Sequence, residues 1–450
     1  MSIRTTLRAA ATGLGLLLIA VWPAQAIVEV QRVVSDQGIV AWLAEDHTLP
    51  IISLQFAFRG GSAQDPEDRQ GLANMVSGLL DEGAGDLDSF AFQSRLQDLA
   101  IDLRFSASLD TFSGSLRTIS DNREAAYTLL HLALTQPRFD DEPVERIRGQ
   151  ILTGLRFDEQ DPNKVASEAW FEAAFPAHPY RKRTQGTPDS VRAITTDDLR
   201  DFAATRLNRE DLVVGVAGDI TPDELKQVLD RVFGGLPQSS PLAKVPDASP
   251  AFTGRTVVVE MDIPQTVAVF GHGGIPRDDP DFYAAYILNY ILGGGGFSSR
   301  LMEEVREERG LAYSVYSYLY TLDHAALMIG GVATQRARFD TSMEVIREEW
   351  RKMAAAGPTE GELADAKTYL TGAFPLRFSS TPAIASILLS MQLDQLPIDH
   401  LETRNAQVEA VTIDDVKRVA ERLLHPQNLL VVVVGKATEG ANEAGGAASN

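Results

Sequence analysis

The chain of 450 residues contains no cysteine, and it has only seven histidines. Disulfide bonds, thiolate metal sites and cysteine nucleophiles are therefore excluded together. No two histidines are three or four positions apart, the spacing at which two imidazoles on one helix grip a metal. A chain of this length can rely on a large hydrophobic core instead of cross-links. The histidines are His47, His131, His178, His272, His324, His400 and His425.

Positive charge is also in short supply, since 41 Lys and Arg face 62 Asp and Glu and the formal net charge is −21. Such an acidic surface argues against nucleic acid and against anionic lipid as partners. It favours basic partners or peptides, although simple solubility explains it equally well.

The N-terminus has the three parts of an export signal. Arg4 and Arg8 supply the positive region, residues 9–21 are almost wholly apolar, and Ala24-Gln25-Ala26 is a small-x-small cleavage site. We expect residues 1–26 to be a signal peptide cut after Ala26, with an uncleaved anchor as the alternative. No later segment is long and apolar enough to span a bilayer. The sequence thus predicts an exported protein without stable membrane insertion, periplasmic if the source is a Gram-negative bacterium.

The sequence repeats itself over about half its length. The stretch from Ile194 to Gly218 is matched by the stretch from Val411 to Gly435 at a constant offset of 217 residues, as between Thr195 and Thr412. Each threonine suits a helix N-cap followed by acidic residues. Each stretch ends in an apolar run that predicts a buried strand.

The openings of the two halves correspond as well, because a strand, a Gly-Gly turn and an Asp-Pro pair begin each of them. A unit of this size is too long for a solenoid repeat and indicates duplicated domains. The predicted class is α+β, with two homologous domains that each pack an antiparallel-type sheet against helices. We place the domains at 27–238 and 256–437, with a Pro/Ser-rich linker at 239–255 and a disordered tail at 438–450.

Residues 71–80 have apolar residues at helical spacing and should form a helix. Their frame matches that of the helix on which inverted zinc proteases carry H-x-x-E-H. The three motif positions hold Asn74, Ser77 and Gly78, none of which is a good zinc ligand. This half therefore keeps the frame of a zinc-protease helix without its metal ligands.

With the preceding strand and Gly-Gly turn, this frame resembles the pitrilysin/insulinase family, which includes mitochondrial processing peptidase. The resemblance implies a processing-peptidase-like half clamshell. The family's third zinc ligand, a glutamate eight residues before an Asp-Pro turn, falls on Gly154 before Asp161-Pro162. All four catalytic positions are thus degenerate. We expect no metal in this chain and zinc in a partner subunit.

The second half carries Gly293 to Gly296 followed by Ser-Ser-Arg-Leu, and then an Arg-x-x-x-Gly-Leu-x-Tyr pattern. These motifs are similar to the family's substrate-handling signature, in which an Arg and a Tyr seven apart hydrogen-bond the peptide backbone. The resemblance assigns these roles to Arg306 and Tyr313, and substrate binding to the glycines. The alternatives are a solvated Arg306 paired with Glu303 or Glu307, and a core aromatic at Tyr313.

The glycine run has two further interpretations. A nucleotide loop is disfavoured, because the run follows a predicted helix and no Gly-Lys-Ser/Thr comes after it. Glycines allow a peptide to approach the backbone closely, whereas a plain helix-to-helix turn needs only one or two of them. Downstream, Tyr316, Tyr318 and Tyr320 alternate with other residues and predict a strand with one aromatic face.

These observations lead to one functional hypothesis and two alternatives. The chain is expected to be the non-catalytic, substrate-binding subunit of an exported heterodimeric zinc peptidase, without activity alone, that offers Arg306 and Tyr313 to a catalytic partner's site in trans. The first alternative is a purely structural or peptide-binding scaffold. The second is an active metallopeptidase with an unorthodox metal site.

Overall fold

A computed structural model describes residues 28–248, 250–252 and 254–436. The predicted signal peptide and C-terminal tail lie outside the described residues. Eleven strands are found in the described part of the chain. They are β1 (Gln31–Val34), β2 (Val40–Glu45), β3 (Ile51–Arg59), β4 (Asp102–Ala107), β5 (Thr111–Ile119), β6 (Leu212–Gly218), β7 (Thr256–Glu260), β8 (Gln265–Gly273), β9 (Ala312–Leu322), β10 (Ala325–Gln335) and β11 (Leu430–Gly435).

Helices fill most of the remaining described chain. They are α1 (Leu72–Ser77), α2 (Ser89–Asp98), α3 (Arg123–Thr135), α4 (Asp141–Asp158), α5 (Pro162–Ala174), α6 (Pro188–Ala193), α7 (Thr196–Arg206), α8 (Pro222–Phe233), α9 (Phe282–Asn289), α10 (Phe339–Ala356), α11 (Glu360–Gly372), α12 (Thr381–Leu393), α13 (His400–Ala410) and α14 (Ile413–Leu423). Short 3₁₀ and π-helical turns connect several of them. None of the described helices is both long and apolar enough to cross a lipid bilayer.

The strands form two sheets of similar design, which confirms the predicted α+β class. The first has the order β1-β2-β6-β3-β5-β4 and the second the order β7-β11-β8-β10-β9. Most neighbours are antiparallel, while one pair in each sheet, β2 with β6 and β7 with β11, is parallel. In both sheets the last strand of the half lies between two early strands, β6 between β2 and β3, and β11 between β7 and β8, so each half closes on itself.

The repeated helix starts form as predicted. Thr195 caps α7 and Thr412 caps α14, and each makes a reciprocal capping box with the aspartate three residues on, Asp198 or Asp415. Satisfying the free N–H groups of a first turn in this way stabilises a helix by about 0.5–2 kcal/mol. Identical local chemistry therefore fixes the two helix starts at the same place in each half.

The predicted helix over 71–80 is shorter in the structure. It runs only from Leu72 to Ser77, and Gly78 ends it. Turns continue from there to Asp81. Glycine has a low helix propensity, because its backbone loses more freedom on ordering than that of any other residue. The segment keeps its apolar side buried, with Met75 and Val76 fully enclosed.

One helix of the first half packs on the sheet of the second half. Trp170 of α5 is completely buried, and its indole N–H donates to the Leu430 carbonyl of β11 at 3.1 Å. A Cβ at Gly271 of β8 would lie 2.9 Å from the Trp170 ring, so the glycine makes room for the indole. Helix α5 is thereby part of the second half's core.

The converse contact is made by α12, a helix of the second half that packs on the first sheet. Its Gln392 side chain donates to the Val214 carbonyl of β6 at 2.8 Å. A Cβ at Gly215 would come within 2.5 Å of the Ala385 carbonyl oxygen, so the helix backbone rests directly on this strand. Leu388 of α12 is fully buried among apolar side chains of α12 and of the first sheet. The two halves thus exchange one helix each.

We predict that Trp170→Ala lowers the free energy of unfolding by about 3–5 kcal/mol, because it empties the contact between α5 and the second sheet. Chemical denaturation measures the change. Phe157→Ala is the control, since this ring is 68% exposed, and it should change stability by no more than about 0.5 kcal/mol. A loss below about 1 kcal/mol for Trp170→Ala would show that α5 is not an anchor.

Candidate functional site

Two motif positions of the degenerate zinc-protease helix are engaged by contacts within the chain. The Ser77 hydroxyl donates to the Asn74 carbonyl at 2.8 Å, one turn back along α1. A Cβ at Gly78 would lie 3.2 Å from a methyl group of Ile147 on α4, which is tight. Ile147 therefore fills the space into which a side chain at position 78 would project.

The fourth degenerate position, Gly154, lies on α4, the helix that packs beside α1. It is exposed, and beyond the backbone of its own helix no atom is within 4 Å of the place where a Cβ would be. Across the parts of the chain that the structure describes, no group of three or more His, Asp or Glu side chains could hold a metal ion. The residues at these positions do not fit the zinc that the family's catalytic members require.

The two most buried histidines have structural roles. Both ring nitrogens of His272 are engaged, Nε2 by the Trp350 indole N–H at 3.0 Å and Nδ1 by the Gly273 carbonyl at 2.7 Å. His400 contacts the Tyr283 hydroxyl at 3.1 Å. Burial lowers the pKa of each imidazole to about 4, so both are neutral at pH 7. Neither belongs to a metal or proton-transfer site.

The glycine run of the second half follows α9 and packs on β9. A Cβ at Gly293 would lie 2.4 Å from the Ser317 hydroxyl oxygen, and one at Gly295 would lie 2.8 Å from the Tyr290 carbonyl oxygen. Gly296 has φ +59° and open space around it. Gly294 is crowded by Asn289. Packing within the chain therefore accounts for three of the four glycines, and Gly296 faces open space.

Arg306 and Tyr313 lie side by side on the surface. Arg306 is in the π-helical turn Met302–Glu307, an irregularity that is frequent at functional sites. Tyr313 is the second residue of β9 and is 79% exposed, so the alternative of a core aromatic is wrong. The Arg306 guanidinium carbon is 5.0 Å from the centre of the Tyr313 ring. Its Nε is 3.3 Å from the Glu307 carboxylate, one of the pairings considered as an alternative.

A third residue, Phe297, completes this surface cluster. Its ring is 69% exposed and its centre is 4.7 Å from the Arg306 guanidinium carbon. Each cation–π contact of this kind contributes about 0.5–1 kcal/mol at an exposed site. Because Phe297 follows Gly296 directly, it joins the glycine run to the Arg–Tyr pair. One feature of the sequence could have indicated Phe297: a solvated loop after a glycine run does not require an aromatic residue.

The predicted aromatic face of β9 is present. Tyr316 and Tyr318 stack at 6.2 Å between ring centres, and both are more than 40% exposed. Tyr320 continues the row and contacts Phe171 of α5. The row is thus covered by the exchanged helix at one end and open to solvent at the other. The open end lies toward Tyr313 along the same edge strand.

Comparisons with known proteins place the chain in a family. A family model described as the peptidase M16 inactive domain matches residues 193–370. The chain is 30% identical to the crystal structure of a peptidase M16 inactive domain from Pseudomonas fluorescens, with a TM-score of 0.86 over 91% of this chain and 98% of that one. The chain therefore belongs to the peptidase M16 family.

Two relatives bear different names. The non-peptidase homolog YmxG of Helicobacter pylori is 27% identical over 83% of this chain and 86% of its own. The mitochondrial-processing peptidase subunit beta of Blastocladiella emersonii is 24% identical over 83% of this chain and 82% of its own. The names of relatives therefore do not decide whether this chain cuts peptides. That question depends on the residues of this chain.

We predict opposite effects for alanine at two of the site glycines. Gly154→Ala should stabilise the protein by about 0.5–1 kcal/mol, because an exposed helix interior prefers alanine. Gly293→Ala should destabilise it by about 1–3 kcal/mol, because the new methyl group meets Ser317. Denaturant unfolding of both variants measures the signs. If Gly293→Ala is neutral, the glycine run does not pack on β9 as described.

Proposed function

We propose that this chain is the non-catalytic, substrate-binding subunit of an exported zinc peptidase built from two M16 chains. The observation that carries the proposal is the contact between the exposed Tyr313 and the half-buried Arg306, in a chain whose Asn74, Ser77, Gly78 and Gly154 cannot bind zinc. A chain without metal ligands cannot activate water itself, so its donors would act on a peptide held at a partner's metal. A scaffold would need no paired donors on its surface.

The chemistry of the pair suits a peptide bond under attack. A guanidinium and a phenol both donate hydrogen bonds, and arginine stays charged at any working pH. Donors aimed at the carbonyl oxygen stabilise the negative charge that develops there during hydrolysis. Phe297 and Glu307 contact the Arg306 side chain, which limits the conformations that it must lose when a peptide binds.

The partner is then a related chain with an intact H-x-x-E-H helix, and zinc belongs to that chain. Its metal supplies the activated water, whereas this chain binds and orients the peptide. The net charge of −21 fits basic or unfolded peptides as substrates. The signal at residues 1–26 fits an exported, periplasmic complex.

The reconstituted pair tests the proposal. Arg306→Ala should lower kcat by about a hundredfold or more, and Tyr313→Phe should also lower it, because each removes a donor from the transition state. The partner's zinc content and the dimer, measured by metal analysis and light scattering, should not change. Arg351→Ala is a matched control at an exposed position on α10, outside both motifs.

The outcome also separates the alternatives. Unchanged turnover with an intact dimer would contradict assistance in trans and would leave a scaffold or peptide-binding role. Peptide hydrolysis by this chain without a partner would favour a metallopeptidase with an unorthodox site.

A further inference from the structure

The outward position of Tyr313 breaks the alternation of its strand. In a regular strand every second residue points to the same side, so Tyr313, Val315 and Ser317 should share a face. Val315 and Ser317 are buried toward the helices of the second half, whereas Tyr313 is 79% exposed. Ala312 is buried in its place. One residue of β9 is therefore out of step with the rest.

The pairing of β9 with β10 locates the irregularity. Ser314 faces Ala333 and Ala312 faces Thr334, so along these two described strands Tyr313 faces no partner. This is a β-bulge, an extra residue in one strand that bends it and re-aims a side chain. Without the bulge, a one-residue shift would turn Tyr313 toward the core, away from Arg306.

Two hydrogen bonds hold the residue just before the bulge. The Leu311 N–H donates to the Val305 carbonyl at 2.8 Å, which ties it to the turn that carries Arg306. The Leu311 carbonyl accepts from the Thr334 hydroxyl at 2.5 Å. Thr334 is 3% exposed, so water has little access to this bond. Leu311 thus joins the Arg306 turn to the Tyr313 strand, and Thr334 fixes it from the neighbouring strand.

We propose that Thr334 is a positioning residue, whose hydroxyl holds the bulge so that Tyr313 points outward beside Arg306. Its effect on peptide hydrolysis rests on the proposed function, but its effect on Tyr313 does not. A partly buried carbonyl that loses its donor favours rearrangements that give it another one. A return of β9 to regular pairing is the nearest such rearrangement, and it removes Tyr313 from the surface.

Thr334→Val and Thr334→Ser form a matched pair for the test. Valine keeps the shape and the strand preference but removes the hydroxyl, whereas serine keeps the hydroxyl. The purified chain is treated with tetranitromethane, and nitration of Tyr313 is measured by peptide mass spectrometry relative to Tyr369, which is 58% exposed. Thr334→Val should lower this ratio, because the loss of one hydrogen bond shifts the equilibrium between the bulged and the regular strand by about fivefold toward the regular strand. Thr334→Ser should restore it.

The melting temperature shows whether each variant is folded, and Thr334→Ala replaces the valine variant if that one does not fold. An unchanged nitration ratio in a folded variant without the hydroxyl overturns the inference. In the reconstituted pair, Thr334→Val should lower kcat as Tyr313→Phe does, and Thr334→Ser should recover it. Lower nitration with unchanged turnover would uphold the role of Thr334 and count against the proposed function alone.

Discussion

The exchange of α5 and α12 between the two halves is the contact on which the rest of the structure depends. Trp170 seals the second sheet and donates to Leu430, while Gln392 of α12 donates to Val214 in the first sheet. One face of each sheet is covered by helices of its own half. The other face is covered in part by a helix of the other half, α12 on the first sheet and α5 on the second. Neither half buries its apolar surface alone, so the two are expected to fold as one unit.

Each exchanged helix also follows directly a helix that contacts one of the two motifs, the degenerate zinc-protease helix or the segment after the glycine run. Helix α5 follows α4, the helix that carries Gly154 and lies against the degenerate zinc-protease helix. Helix α12 follows α11, whose Glu362 accepts from Arg300 just after the glycine run, at 2.5 and 2.7 Å. Burial opposes the charge of Glu362, yet hydrogen bonds from Arg300 and Thr359 hold the pKa of this carboxyl at about 2. The pair stays charged at any working pH and keeps this segment in place.

Local features of the fold could be predicted from the sequence, and features that depend on distant packing could not. The capping threonines and the apolar runs act within a few residues, so Thr195, Thr412 and both terminal strands form as expected. The exchange joins residues as distant as Trp170 and Leu430, and no local pattern records it. Likewise, the helix over 71–80 ends at Gly78, where a weak helix former meets Ile147 from a distant segment.

The candidate site divides in the same way. The resemblance to the family's signature indicated the residue pair Arg306 and Tyr313, and the residue types at the motif positions indicated that the metal positions were degenerate. The outward turn of Tyr313 depends on a bulge that needs Thr334, on another strand. The regular alternation of side chains along β9 alone would have predicted a buried tyrosine at this position. Its trace in the sequence is the three-residue spacing of two apolar residues, Ala312 and Val315, which the structure places in the core.

The central claim is that this chain assists catalysis without a metal of its own. The most direct measurement is the zinc content of the purified chain after equilibration with excess zinc and removal of the unbound metal, together with its peptidase activity alone. The account predicts well below one zinc per chain and no hydrolysis. One tightly held zinc per chain, accompanied by peptide hydrolysis, would contradict it.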